Sequence, residues 1–307
     1  MKCPLCPTGQ GLEGRKKGQM KFEDFKNILD QTGDVAYSLE LYSWGEPFLN
    51  AEIFDMIGYA TKEKHLDVHV SSTLQHFPDD YPEKLVESGL ELLIVSLDGT
   101  NQESYEKYRV GGDYQKTIEN IKKIVATKER LKSNTPFMDI RFLVMKHNTE
   151  EQEAVKQLAQ ELRVDHIQTS PVMVNIKDQQ EVNEWLPEDE SESGYDYAAK
   201  RKKEERPTCT WLWDSIAVSW DGCVAPCCHL YHSSTDFGDL NKNRFQEIWN
   251  NEKYQKAREF IKSPRLTEEP PTIACELCLK PYLEADDKSE LDYINESLTN
   301  KLKINEK

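Results

Sequence analysis

Eight cysteines in a chain of 307 residues fall into two groups: Cys3 and Cys6, then none until Cys209, Cys223, Cys227, Cys228, Cys275 and Cys278. Cysteines used only as small apolar filling would scatter, and a chain of this length in a reducing cytosol needs no disulfide stapling. Clustering at the two ends, with two C-x-x-C pairs, points to metal ligation. Taken alone, C-x-x-C suits zinc, a redox dithiol or an iron–sulfur cluster, so the surrounding motifs must discriminate. Cys3-Pro4-Leu5-Cys6-Pro7-Thr8-Gly9 reads as a turn-rich loop before a helix. Trp44-Gly45-Glu46-Pro47 follows one apolar run, and Val95-Ser96-Leu97-Asp98-Gly99 ends another, with Tyr108-Arg109-Val110-Gly111-Gly112 behind it. A strand end bearing Gly-Glu-Pro places flexible backbone and one carboxylate at the C-terminal rim, where βα proteins build their sites. No Ser/His/Asp or paired-carboxylate arrangement competes with a metal-based reading.

The elements that must position these residues are short apolar runs alternating with amphipathic segments. The runs Val35–Leu41, Leu66–Ser71, Leu92–Ser96, Met138–Met145 and Val164–Thr169 are rich in β-branched residues and are predicted strands. Predicted helices are Phe22–Gln31, Ala51–Glu63, Pro82–Ser88, Tyr114–Leu131 and Glu150–Leu162, the fourth with an apolar stripe at Ile118, Ile121 and Val125. Such alternation predicts a parallel sheet of βα units, barrel-like or open. From Asn175 to Pro207 the periodicity fails and charge runs dominate, which reads as a solvated linker or lid. Thirty-nine basic against 55 acidic residues leave a net charge of −16, which argues against unaided binding to nucleic acid or an anionic membrane. No apolar run approaches the roughly 20 residues needed to span a bilayer, and Met1-Lys2-Cys3-Pro4 opens no signal peptide. With a mean hydropathy of −0.74, the chain is expected to be cytoplasmic.

In the second cysteine group, an apolar strand at Ile216–Trp220 ends in Asp221-Gly222, a hairpin signal that would return Cys227 towards Cys209. Thr272-Ile273-Ala274-Cys275-Glu276-Leu277-Cys278 closes the group, after a helix approached through Phe245-Gln246-Glu247-Ile248-Trp249. His229 and His232 follow the Cys227-Cys228 pair, but thiolates already fill four positions, so they read as neighbouring or surface histidines. The tryptophans at 211, 213 and 220 read as core of this small region.

In order and spacing these motifs resemble the radical S-adenosylmethionine (SAM) superfamily, over nearly the whole chain. The resemblance implies an α/β fold, a partial (β/α)6 TIM-like barrel with a small C-terminal α+β domain of the SPASM/twitch type. It implies a loop C-x-x-x-C-x-x-C holding a 4Fe-4S cluster whose open iron binds SAM, with Cys3 and Cys6 as second and third cysteines. The first cysteine would stand four positions before Cys3, upstream of Met1, and the barrel's first strand is missing too; the expectation is a chain that starts inside the motif. Gly45 and Glu46 match the family's Gly-Gly-Glu motif with Trp44 in place of the first glycine, while Ser96 and Arg109 match polar residues near SAM. Thr73 and Asn148 lie just beyond other strand ends and are secondary candidates. Gly222 to Cys227 matches the SPASM opening G-x-x-x-x-C, and Cys209, Cys227, Cys275 and Cys278 match the shortened layout for one auxiliary 4Fe-4S cluster. Cys223 and Cys228 are left over, Cys228 as an alternative ligand, and a structural zinc on the same four thiolates stays open.

The domain division so implied is 1–174 for the barrel, 175–208 for the charged linker, 209–282 for the auxiliary-cluster domain and 283–307 for a polar tail. The implied activity is that of an oxidoreductase in which the reduced cluster cleaves SAM to methionine and a 5′-deoxyadenosyl radical, which abstracts hydrogen from a small metabolite or sugar. A low-potential donor, flavodoxin- or ferredoxin-like, would supply the electron. A peptide substrate is the second reading, and a truncated or degenerate metal-binding chain without activity the third.

Overall fold

Strand and helix alternate along the first 172 residues of the computed structural model, which describes residues 1–176, 178–198, 201–203, 209–262 and 272–276. In chain order the elements are α1 (Pro7–Gln10), α2 (Phe22–Thr32), β1 (Ser38–Glu40), α3 (Ile53–Gly58), β2 (Asp67–Ser72), α4 (Tyr81–Glu87) and β3 (Leu92–Ser96). They continue as α5 (Gln102–Tyr108), α6 (Tyr114–Leu131), β4 (Phe137–Val144), α7 (Gln152–Glu161) and β5 (His166–Pro171). The five strands form one parallel sheet in the order β1-β2-β3-β4-β5. All five lie where β-branched runs predicted them, displaced by no more than about a turn of chain at their ends. β3 and β4 are buried nearly end to end, as strands covered by helices must be. The stripe of α6 faces this core: Ile118, Ile121, Ile124 and Val125 are buried.

Two features were not anticipated. The predicted helix over 51–63 is α3 followed by one π-helical turn, Tyr59–Glu63. α5 is a short helix that sequence periodicity missed because it spans only two turns; Asn101 caps it, its side-chain oxygen accepting from the Ser104 N–H at 3.0 Å.

The chain divides into two compact units, Met1–Leu12 with Gln19–Val172, and Glu13–Gly18 with Met173 onward. The second unit holds α8 (Gln179–Trp185), the ribbon β6 (Tyr195–Asp196) and β7 (Arg201–Lys202), then α9 (Trp211–Asp214). β8 (Ala217–Val218), β9 (Cys223–Ala225) and β10 (Gly238–Asp239) form an antiparallel sheet, followed by α10 (Phe245–Trp249) and α11 (Glu252–Lys262). The stretch read as a solvated linker thus carries α8 and a ribbon. Sparse anchors replace periodicity there: Trp185, Leu186 and Tyr195 are buried, and the Tyr195 hydroxyl donates to the Val174 carbonyl at 2.7 Å. The predicted hairpin is present between β8 and β9. Gly222 at its turn has φ +80, and its N–H donates to the Ser219 carbonyl at 2.9 Å. The segment 13–18 belongs to this unit through Arg15, whose Nη2 donates to Asp236 at 2.5 Å and whose Nε donates to the Tyr231 carbonyl at 3.0 Å. No helix among the described residues is long and apolar enough to cross a membrane.

Candidate functional site

Two cysteine centres are built from separate parts of the chain. At the first, the Cys6 N–H donates to the Cys3 carbonyl at 3.2 Å, and Pro7 starts α1 immediately after it. Gly9 is required by crowding: a Cβ there would stand 2.5 Å from the Cys3 carbonyl oxygen and 2.6 Å from the Cys3 nitrogen. The loop is tied to the segment after α5, since the Lys2 N–H donates to the Val110 carbonyl at 3.0 Å.

From that segment Arg109 turns back to the loop. Its Nε donates to Asp98 Oδ2, and its Nη1 lies 3.7 Å from Cys3 Sγ. The guanidinium also sits 5.1 Å over the Tyr108 ring. Burial opposes its charge, but Asp98 and the Cys3 sulfur outweigh that and raise its pKa above the ordinary arginine value. Asp98 is wholly buried just beyond β3, and its Oδ1 accepts from the Leu143 N–H at 2.8 Å. One carboxylate therefore joins the ends of β3 and β4 and holds a cation against a cysteine. The sequence alone gives Asp98 no role; its one signal there is an acidic residue between an apolar strand end and a glycine.

The Glu46 carboxylate accepts from four donors. Its Oε1 accepts from Ser72 Oγ at 2.6 Å and from the Phe48 N–H at 3.4 Å; its Oε2 accepts from the Thr73 N–H at 3.1 Å and Thr73 Oγ1 at 2.9 Å. The carboxylate is thus engaged in stitching the end of β1 to the end of β2. Gly45, exposed, has φ +141, a conformation that favours glycine. Ser96 is half-buried at the end of β3 and has no side-chain hydrogen bond among the described residues. Asn148 is consumed by backbone: its amide donates to the Asp98 and Leu143 carbonyls at 3.0 and 2.9 Å, and its oxygen accepts from the Met145 N–H at 2.7 Å.

At the second centre, Cys209 precedes α9, the β8–β9 hairpin delivers Cys227, and Cys275 lies in the described stretch 272–276. Burial pushes the Cys227 thiol up to about 12, with Cys228 and Cys209 adding to the shift. Burial likewise raises Cys275, and Cys227 and Cys209 reinforce it. Three cysteines from three separate segments are therefore within electrostatic reach of one another. Thiols that are desolvated and surrounded by thiols ionise only when a cationic centre joins them, so this donor set fits a thiolate-ligated cluster. Cys278, the fourth assigned ligand, lies outside the described residues. Cys223 has other company: burial first, then Asp221, Asp236 and Asp239, push its thiol up to about 11. His232 serves as a cap, its Nδ1 accepting from the Ser234 N–H at 3.1 Å. Among the described residues no three His, Cys, Asp or Glu side chains are gathered closely enough to hold a single metal ion.

Comparison with known proteins gives two family matches. Residues 1–159 match the Radical SAM superfamily, and residues 209–279 match the SPASM iron–sulfur cluster-binding domain. Over 163 residues the chain is 26% identical to the AdoMet-dependent heme synthase of Methanosarcina barkeri, a match covering 53% of this chain but only 44% of that protein. It is 24% identical over 292 residues to the Fe-coproporphyrin III synthase of the same organism, covering 81% of this chain and 70% of that one. Among solved structures, native anSMEcpe with bound AdoMet superposes with a TM-score of 0.63 at 18% identity, over 97% of this chain and 91% of that chain. The fold is shared with it.

Proposed function

This chain belongs to the radical SAM superfamily, and we propose that it is an oxidoreductase that uses SAM cleavage to abstract hydrogen from a small metabolite or sugar. The observation that carries the reading is the chain of contacts Asp98–Arg109–Cys3 beside the C-terminal ends of the parallel strands. When bound, the 4Fe-4S cluster and SAM supply a one-electron cleavage that yields the hydrogen-abstracting 5′-deoxyadenosyl radical. Cys3 and Cys6 would provide thiolates to it. Arg109 keeps a fixed positive charge 3.7 Å from the Cys3 sulfur. Glu46 sets the strand end that presents the Gly45 backbone, and the Ser96 hydroxyl is free to bind a polar group of SAM. Cys209, Cys227, Cys275 and Cys278 would hold the auxiliary 4Fe-4S cluster, and a flavodoxin- or ferredoxin-like protein would deliver the electron. The names of the two Methanosarcina relatives, one for heme and one for Fe-coproporphyrin III, support a substrate that is not a peptide.

Anaerobic reconstitution with iron and sulfide is expected to yield a brown protein with about four irons per chain from the auxiliary cluster, and about eight where a third thiolate joins Cys3 and Cys6. With dithionite and SAM it is expected to form methionine and 5′-deoxyadenosine, measured by liquid chromatography and mass spectrometry. A colourless protein with one bound zinc would sink the iron–sulfur reading. Retention of auxiliary iron without any SAM cleavage would favour the non-catalytic reading, and deuterium transfer from labelled peptides rather than labelled metabolites would favour a maturase.

Gly9→Ala provides a narrower test. The added methyl group collides with backbone, which cannot rotate away, so the Cys3 loop must shift. In the eight-iron form the expected result is loss of about half the iron, about four per chain, together with deoxyadenosine formation. Full iron and unchanged cleavage in Gly9→Ala would remove the loop from the site.

A further inference from the structure

We propose that Tyr254 donates its phenolic hydrogen to a sulfur of the auxiliary cluster and thereby raises that cluster's midpoint potential. The inference rests on the iron–sulfur reading of Cys209, Cys227 and Cys275.

Tyr254 lies on α11 and is wholly buried. Its hydroxyl oxygen is buried too, and has no hydrogen-bond partner among the described residues. Buried tyrosine hydroxyls ordinarily find a partner, and a phenylalanine would fill the same space without that requirement. The ring is held on several sides: Phe237 meets it edge-on at 5.0 Å, Trp249 packs tilted at 5.1 Å, and the Arg258 guanidinium stands 5.1 Å over its face. Arg258 is itself pinned, Nε donating to the Leu212 carbonyl and Nη1 to the Trp249 carbonyl, each at 2.8 Å. Leu212 is in α9, which starts two residues after Cys209, so this clamp fixes Tyr254 relative to the segment bearing a ligand.

The thiols nearest the phenol electrostatically are also assigned ligands. Burial foremost raises the Tyr254 pKa; Arg258 offsets it, and Cys275 and Cys227 add to it. The hydroxyl is thus a buried donor without a partner among the described residues, with Cys275 and Cys227 close enough to act on it electrostatically. Sulfur atoms of a cluster held by those cysteines are acceptors, and a hydrogen bond to them strengthens as the cluster gains negative charge on reduction. Hydrogen bonds to cluster sulfurs are a recognised determinant of cluster potential. Arg258 acts through the ring rather than on the cluster, and is a positioning residue.

Tyr254→Phe removes the hydroxyl and keeps the ring contacts. The comparison is best made in a Cys3→Ala, Cys6→Ala background, where only the auxiliary cluster is titrated. Both proteins are reconstituted, assayed for iron, and titrated with dithionite while the reduced cluster is followed by electron paramagnetic resonance. The expected result is equal iron, with the midpoint lowered in Tyr254→Phe by a roughly tenfold change in the reduction equilibrium, about 59 mV for one electron. Equal iron and equal potentials would overturn the inference and leave the cluster reading standing. No iron–sulfur cluster in the Tyr254-containing protein would overturn the cluster reading instead. A second readout does not depend on the variant folding: exchange into deuterium oxide is expected to shift the iron–sulfur stretching bands of the Tyr254-containing protein, and an absence of any shift would also overturn the inference.

Discussion

Replacing Asp98 with alanine is expected to lower the stability of the first unit by about 3–5 kcal/mol, the usual cost of removing one partner of a buried ion pair. Asp98 is fully buried and has three structural connections: its Oδ2 to Arg109, its Oδ1 to the Leu143 N–H, and its carbonyl to Asn148. Truncation leaves the Arg109 guanidinium largely buried, without a counter-charge, beside the Cys3 sulfur. Asp98→Asn should cost less, since an amide oxygen can still accept from Leu143. Urea denaturation followed by circular dichroism measures the loss. Adding Arg109→Met to Asp98→Ala is expected to recover part of it, because the stranded charge goes with the side chain. An Asp98→Ala protein as stable as the parent would show that the pair contributes nothing to holding the rim together.

The second large effect is expected at Cys227. Cys227→Ala should lose the auxiliary iron, about four atoms per chain, while Cys223→Ala retains all of it. The two cysteines are four residues apart in sequence, and their surroundings differ. Cys227 has Cys209 and Cys228 for neighbours, with Cys275 nearby, whereas Cys223 is enclosed by Asp221, Asp236 and Asp239. SAM cleavage without substrate should persist in Cys227→Ala, since Cys3 and Cys6 are untouched, and substrate oxidation should fall by at least tenfold. Iron analysis and deoxyadenosine quantification separate these effects. Iron loss from Cys223→Ala with none from Cys227→Ala would reverse the ligand assignment.

Much of this architecture was legible along the chain. Leu92–Ser96 and Tyr114–Leu131 were read to the residue, because a β-branched run and a 3.6-residue stripe are local patterns that the core simply covers. The β8–β9 hairpin was legible for the same reason: Asp221-Gly222 specifies its own turn. α8 was not, because Trp185 is its one buried residue, behind a run of mostly polar and charged ones. α5 was not, because a helix of seven residues carries too few turns to show a period.

The candidate site divides along a similar line. Residue type and spacing were enough to single out Cys3, Cys6, Cys209, Cys227 and Cys275, because ligand chemistry is a property of the side chain itself. Which polar residues are available to a ligand was decided only by folding. Glu46 matches a motif, and folding surrounds its carboxylate with Ser72, Thr73 and the Phe48 N–H, while Ser96 two strands away keeps its hydroxyl without a partner among the described residues. Asp98 and Tyr254 owe their importance to burial beside partners 11 residues away in one case and more than 20 in the other. Desolvation turns an ordinary carboxylate into the anchor of Arg109 and leaves an ordinary phenol in need of an acceptor. A linear pattern carries neither, because the cost of burying a polar group depends on everything packed around it.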